Sequence, residues 1–169
     1  ALTARLIVDQ LDSANFPRAG GAGSVQVLAA RETLGAQADF TRWEADGVFS
    51  WSVGRHSFQP GFKVGSKIGG DLPTYALFQW GGFLQQSGYP TGALLGERLT
   101  FGRVIYTYKL VDTRLLEGFY LGGSLEAGRM DHPLVPGSPA GLLKSVSVFG
   151  AVDTPIGPLY LGVGFAADG

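Results

Sequence analysis

The fold class of this 169-residue chain is decided by residues 43–53, which read Trp43-Glu44-Ala45-Asp46-Gly47-Val48-Phe49-Ser50-Trp51-Ser52-Val53. One side of this segment is apolar and carries Trp43, Ala45, Phe49, Trp51 and Val53. The opposite side is polar and carries Glu44, Asp46, Ser50 and Ser52. Alternation with a period of two is typical of a β-strand that has one apolar face. The segment is also longer than the usual strand of about 5–6 residues in a globular protein.

The same alternation recurs along the chain, and no long helical pattern competes with it. It predicts eight strands, near residues 2–10, 22–31, 38–53, 55–69, 99–111, 115–128, 143–152 and 157–166. Most of them have one apolar face and one face that mixes charges, hydroxyl groups and glycine. We therefore predict an all-β, antiparallel fold.

The composition restricts the class of protein further. Only 16% of the residues are charged, the formal net charge is -1, and the chain has 27 glycines and no cysteine. A near-neutral chain lacks the basic surface expected of a nucleic-acid binder. Without cysteine there is no disulfide scaffold, thiolate nucleophile or thiolate metal site. No apolar run of about 18 residues could form a transmembrane helix, so a transmembrane β-barrel is the membrane architecture left open.

Two architectures produce strands with one apolar face. A soluble barrel or sandwich turns that face inward, whereas a membrane barrel turns it toward lipid. From the third strand onward the predicted connections alternate between short and long, and the longest spans residues 70–98. Outer-membrane barrels have this alternation of short periplasmic turns and long outer loops. We therefore expect residues 1–169 to form a transmembrane β-barrel domain with a long loop at 70–98.

The predicted orientation is unusual for a complete barrel. If residues 70–98 form an outer loop, eight strands place both ends of the chain on the outer side, whereas bacterial barrels ordinarily keep both ends in the periplasm. The sequence thus predicts part of a barrel rather than a whole one. If the chain exists alone, two copies of eight strands pairing edge to edge as a homodimer would form a sixteen-stranded ring, because unpaired edges cannot persist in lipid.

Two motifs carry a family resemblance. Residues 8–20, Val8-Asp9-Gln10-Leu11-Asp12-Ser13-Ala14-Asn15-Phe16-Pro17-Arg18-Ala19-Gly20, form a strand and turn in which Asp12 and Asn15 cap the turn, Pro17 fixes φ and Gly20 permits positive φ. Residues 69–78 and 81–89 form the long loop, which ends in Ser87-Gly88-Tyr89. These elements resemble the barrels of the BamA/TamA superfamily, and the resemblance covers essentially the whole chain. The resemblance implies that the eight strands are half of a sixteen-stranded barrel, its strands eight to fifteen.

The resemblance implies that the long loop folds back into the lumen. In that family the loop is tipped by an Arg-Gly-aromatic motif, and the arginine meets an acidic residue on the inner wall. Here the tip is Ser87-Gly88-Tyr89, and Glu126-Ala127-Gly128 stands where the acidic element would be, so Glu126 would bond Ser87 or Tyr89. The serine, with residues 118–128 and 153–162, is most similar to the barrels of patatin-like autotransporters of type V secretion in Gram-negative bacteria.

No catalytic constellation emerges from the sequence. Neither Ser124 nor Ser138 lies in a Gly-x-Ser-x-Gly elbow, and the two histidines, His56 and His132, are far apart in the chain. No spacing indicates a zinc or calcium site, and no glycine-rich segment completes a nucleotide fingerprint. We therefore predict that these residues are not an enzyme and bind no metal or cofactor.

The expected function is the secretion or assembly of proteins at the bacterial outer membrane. The barrel would act as a translocator or insertase for an unfolded polypeptide and would carry a patatin-like passenger. Its partners would be membrane lipid, the translocated polypeptide and, through the strand edges, a second copy, but no nucleic acid. Two alternatives remain open: a plugged barrel that is only a structural anchor, and a soluble lipocalin-like binding barrel.

Overall fold

A computed structural model describes residues 1–111, 118–133 and 141–167. The strands are β1 (Leu2–Asp9), β2 (Gly20–Ala30), β3 (Phe40–Val53), β4 (His56–Gly69), β5 (Phe78–Trp80), β6 (Leu94–Val111), β7 (Gly118–Pro133), β8 (Leu143–Thr154) and β9 (Gly157–Ala166). Two short 3-10 helices span Glu32–Leu34 and Thr74–Ala76. No helix in the described ranges is long and apolar enough to cross a bilayer. The predicted connection between strands 99–111 and 115–128, the first three residues of the second of these strands, and Ser138 lie outside the described residues.

The strands form one antiparallel sheet in which sequence neighbours pair. Its order is β1-β2-β3-β4-β6-β7-β8-β9, and the short β5 pairs with β6 beside this path. The all-β antiparallel prediction is confirmed, and the eight predicted strands are the eight members of the main path. Within the described ranges β1 pairs only with β2 and β9 only with β8, so the sheet is not closed.

The connection after β4 differs from the predicted loop at 70–98. β6 begins at Leu94, so the connection is residues 70–93, and β5 lies within it. The physical reason is that β5 provides backbone partners for the start of β6, with Phe78 opposite Gly96 and Trp80 opposite Leu94. β7 likewise continues to Pro133, beyond the predicted end at 128.

The two faces of the sheet differ in burial, and the apolar face is the exposed one. On β7, Leu121 and Leu125 are exposed, whereas Ser124 and Glu126, which flank Leu125 in the sequence, are buried. β8 repeats the arrangement, because its serines are buried and its outward-facing valines are exposed. The mixed, polar face is therefore the one that the rest of the chain covers. We call it the concave face.

Two segments cover the concave face. The first is the infolded loop, residues 70–93, which forms an apolar cluster with the ends of β2, β3, β6, β7 and β8. The second is the β1–β2 loop, residues 10–19, whose Phe16 joins a cluster with Ile105, Tyr120, Phe149 and Ala151. Leu84 of the infolded loop packs against this second cluster. The two segments thus approach each other across β6–β8.

Candidate functional site

The tip of the infolded loop is the most deeply buried polar part of the described chain. Gln86 and Ser87 are both 0% exposed. They lie against Glu126 on β7, Ser145 on β8 and Gly164 on β9. We call these wall residues, together with Gly128, the tip seat.

Glu126 is the centre of the tip seat. One carboxylate oxygen, Oε2, accepts the backbone N–H groups of Gln86 at 2.8 Å and Ser87 at 2.5 Å. The other, Oε1, accepts the hydroxyl groups of Ser87 at 2.8 Å and Ser124 at 2.5 Å. An ionised carboxylate is an acceptor with about four lone-pair sites, so four donors saturate it. This coordination offsets the cost of burying a carboxylate that is 4% exposed.

The backbone of the tip is held in an uncommon conformation. Leu84 and Gln86 have positive φ values of 60° and 79°, although neither is glycine. The Ser87 hydroxyl accepts the Leu84 N–H at 3.0 Å, which closes the turn on itself. Positive φ at a residue with a side chain costs on the order of 1–3 kcal/mol and persists where surrounding contacts impose it. Glu126 supplies that constraint at Gln86, and the Ser87 hydroxyl and the Arg103 guanidinium supply it at Leu84.

Glycines make the space in which the tip sits. Gly88 has φ +92°, and a side chain there would overlap the backbone of Ala166 on β9. A Cβ added to Gly164 would lie 2.6 Å from Cβ of Ser87. A Cβ at Gly128 would overlap the Gln86 side-chain oxygen. The predicted residues Ser87, Gly88, Glu126 and Gly128 are thus brought together in one site.

The remaining predicted tip residue, Tyr89, takes a different place. It is partly buried and packs against the apolar cluster of the infolded loop. Gln86, which precedes the predicted tip motif, donates from Nε2 to Ser145 Oγ at 2.9 Å. Its Oε1 has no hydrogen-bond partner among the described residues. The glutamine therefore extends the tip contacts from β7 to β8.

A positively charged side chain of the sheet, Arg103, contacts the infolded loop, whereas the loop tip itself carries no positive charge. Arg103 on β6 donates from its guanidinium to the Leu84 carbonyl at 2.5 Å. Arg103 is also the register partner of Glu126 on β7. The motif expected from the sequence resemblance would instead place the arginine on the loop. Here the serine tip and a wall arginine place a positive charge and a hydroxyl group near the same carboxylate.

The predicted turn motif holds the base of the β1–β2 loop. Asp12 Oδ1 accepts the backbone N–H groups of Arg18 at 2.8 Å and Ala19 at 3.1 Å. These donors, that of Ala19 first, hold the pKa of the Asp12 carboxyl below its ordinary value of 3.8. Gly20 has φ +104°, and a side chain there would overlap the Gln10 carbonyl. The Pro17 carbonyl accepts the Ser50 hydroxyl at 2.5 Å.

Asn15 and Phe16 extend from this turn to the far side of the sheet. The Asn15 side chain donates to Asp153 Oδ1 at 2.9 Å, across 138 residues of sequence. The Phe16 ring stacks on Tyr120 with a centroid distance of 4.1 Å. The prediction that Asn15 caps its own turn is therefore wrong for its side chain, which bonds a strand end instead.

Two of the residues considered for catalysis, Ser124 and His56, are held in structural contacts. Ser124 Oγ lies 2.6 Å from Ser147 Oγ and donates to Glu126. At the start of β4, His56 Nδ1 lies 2.7 Å from the hydroxyl oxygen of Tyr106 on β6. Ser124 is buried and His56 exposed. The two are therefore parts of different environments.

Comparison with known proteins assigns no family. No protein-family model matches the chain, and no curated protein matches it. The tip seat and the distribution of polar and apolar side chains therefore carry the functional argument.

Proposed function

We propose that this chain forms part of an outer-membrane β-barrel that handles polypeptides, as a translocator or insertase. Its outward apolar face contacts lipid, and its concave face lines the lumen. The infolded loop stabilises that lumen through the tip seat. The process is physical, and no covalent bond is made or broken by these residues.

One observation carries the proposal: the exposed face of the sheet is its apolar face. Leu125 is 67% exposed, Val163 is 57% exposed and Leu161 is 86% exposed. Soluble proteins rarely expose large contiguous apolar surface, and such surface marks an interface with protein or membrane. A soluble lipocalin-like barrel needs the opposite arrangement, with these side chains around an internal ligand. The side-chain distribution favours lipid as the outer environment.

The concave face supports a polar path beside the plugged region. Arg5, Asp9, Glu44, Asp46 and Lys63 lie on this face of β1, β3 and β4. The tip seat occupies the part formed by β7–β9. The charged surface of β1, β3 and β4 could stay hydrated beside the region that the loop tip fills. Such a surface suits an extended polypeptide whose backbone groups need hydrogen-bond partners. Further strands of a longer chain, or a second copy, would complete the ring at β1 and β9.

Lipid contact is tested by fluorescence quenching. The chain has no cysteine, so Leu125→Cys gives a single site for an environment-sensitive label on the outward face. The matched variant is Asp46→Cys on the concave face. In vesicles that contain brominated lipid, we expect strong quenching at position 125 and little at position 46. Equal quenching at both positions, or none at position 125, would contradict the barrel.

Polypeptide handling is tested by site-specific crosslinking. A photoreactive residue in place of Asp46 should crosslink to an unfolded polypeptide presented to the reconstituted protein. The same residue in place of Trp43, on the outward side of the same strand, should crosslink to lipid. Absence of polypeptide adducts at Asp46 and at its concave neighbours would refute the translocator assignment but leave the membrane assignment intact.

A plugged structural anchor is the second candidate, and the complete burial of Gln86 and Ser87 favours it. An anchor would show no ion conductance and no polypeptide adducts in planar bilayers or vesicles. A translocator would conduct, at least after the tip is unseated. Conductance of the parent protein and of a tip variant therefore separates the two candidates.

A further inference from the structure

A groove of about 630 Å³ lies on the outward face of β6, β7 and β8. Its floor is formed by two small residues, Gly102 and Ala127, which face each other across the β6–β7 pairing. Its walls are the exposed side chains of Val104, Leu125 and Val146. The volume is within the range of small-ligand sites, and the walls are apolar.

Three cations lie at one end of this groove. Lys144 lines it and is the register partner of Ala127. Arg129 lies two residues further along β7, and Arg98 lies on β6 opposite Asp131. All three cations are exposed. By strand alternation, they are the only Lys or Arg side chains that point outward from the described parts of β1–β9.

The charges of this group do not cancel. Arg129 Nε lies 2.5 Å from Asp131 Oδ1, which pairs one of the three cations. Arg98 donates to the Ser66 hydroxyl at 3.4 Å. The Lys144 ammonium has no carboxylate within 4.0 Å among the described residues. Among the described residues, three cations and one carboxylate leave a positive group beside an apolar groove, at the end of the sheet where the connection of residues 70–93 lies.

We propose that this groove binds a membrane lipid that has an anionic phosphate headgroup. An acyl chain lies over Gly102 and Ala127, and the phosphate lies between Lys144 and Arg129. The inference rests on the proposed function, since it requires the outward face to be in a bilayer. Charge complementarity selects the occupant: an apolar protein segment would leave these cations uncompensated, and a water-soluble anion would leave the groove unfilled.

The test is lipid competition on the detergent-solubilised protein. Bound lipids are counted by native mass spectrometry after addition of phosphatidylglycerol or phosphatidylcholine with the same acyl chains. One cation near a lipid surface contributes about fivefold in affinity. We therefore expect the parent protein to prefer phosphatidylglycerol by at least about fivefold, and Lys144→Gln to reduce that preference by a similar factor. Lys63→Gln, the same change on the concave face, should have no effect.

The groove itself is tested with Ala127→Leu, which fills its floor without changing charge. We expect the bound phosphatidylglycerol to be lost, whereas Ala45→Leu, on the outward face of β3, retains it. Three outcomes overturn the inference: no headgroup preference in the parent protein, an equal loss in Lys63→Gln, or displacement of the lipid by inorganic phosphate. Quenching of the Leu125→Cys label by brominated lipid, with no headgroup preference, would refute this site alone. Absence of that quenching would refute the membrane assignment first.

Discussion

The Ser87 hydroxyl donates to Glu126 Oε1 at 2.8 Å across 39 residues of sequence, and both side chains are buried. The same carboxylate accepts the Ser87 backbone N–H through its other oxygen. One residue of the loop is therefore bound twice by one residue of the wall. This double contact fixes the tip in both position and orientation.

Glu126→Gln should unseat the tip, because an amide replaces one acceptor oxygen by an NH₂ group that faces N–H or O–H donors. Leaving buried donors unsatisfied costs about 1–3 kcal/mol for each group, so we expect a loss of at least about 2 kcal/mol in unfolding free energy. The measurement is thermal or denaturant unfolding in detergent. Glu44→Gln makes the same change on the concave face, at a carboxylate that has no hydrogen bond to the loop tip among the described residues, and should shift stability little. Equal effects of the two variants would show that Glu126 has no special role.

Gly164→Ala should displace the tip through a steric contact alone. The added methyl group would lie 2.6 Å from Cβ of Ser87, whereas a methyl group at Gly150 would meet nothing within 4 Å. We expect faster proteolysis within residues 81–89 for Gly164→Ala and an unchanged rate for Gly150→Ala. A protected loop in both variants would mean that the tip tolerates a methyl group at its seat.

Phe149→Ala should be strongly destabilising. The Phe149 ring is 2% exposed, and its atoms fill the space beside Gly122 and Gly162. Removing a buried aromatic ring costs about 3–5 kcal/mol. Val148→Ala, at the neighbouring outward position, is the control and should cost much less. Unfolding in detergent measures both, and a cost below about 1 kcal/mol for Phe149→Ala would contradict the packing described here.

Asp12 should make stability depend on pH under acidic conditions. Its backbone partners lower the pKa of the folded carboxyl below 3.8, so the stabilisation is fully present above the unfolded pKa. It is lost as pH falls below 3.8 and through the folded pKa. The difference in unfolding free energy between the parent protein and Asp12→Asn should thus shrink as pH is lowered through this window. A difference that does not change with pH would exclude this role for the carboxylate.

The strands were predictable from sequence because apolar and polar residues alternate along each strand, and the two kinds of residue face its two different environments. The segment from Trp43 to Val53 predicts both its conformation and its faces. β5 was not predicted, since three residues are too few to show a period and Phe78–Trp80 reads as part of an irregular loop. Its strand character comes from pairing with Leu94–Gly96, which only the folded chain brings close.

The site was predictable only in part. The resemblance named Ser87, Gly88, Glu126 and Gly128, and the structure brings them together. Gly164 and Arg103 were missed as contacts of the loop, because nothing local to either residue indicates a partner so distant in sequence. The side chain of Asn15 was assigned to its own turn, which is the usual local partner of such a residue. A contact across 138 residues overrides that preference.

The contact between Gly88 and the backbone of Ala166 on β9 has a consequence for the order of folding. Hairpins of sequence neighbours close short loops and can form early. The tip, in contrast, touches β7, β8 and β9, so its final position exists only after the last of these strands has paired. Seating of the tip is therefore a late event that requires β7, β8 and β9 to be paired. A chain arrested before β9 would leave the tip unseated, and its loop would be open to proteolysis.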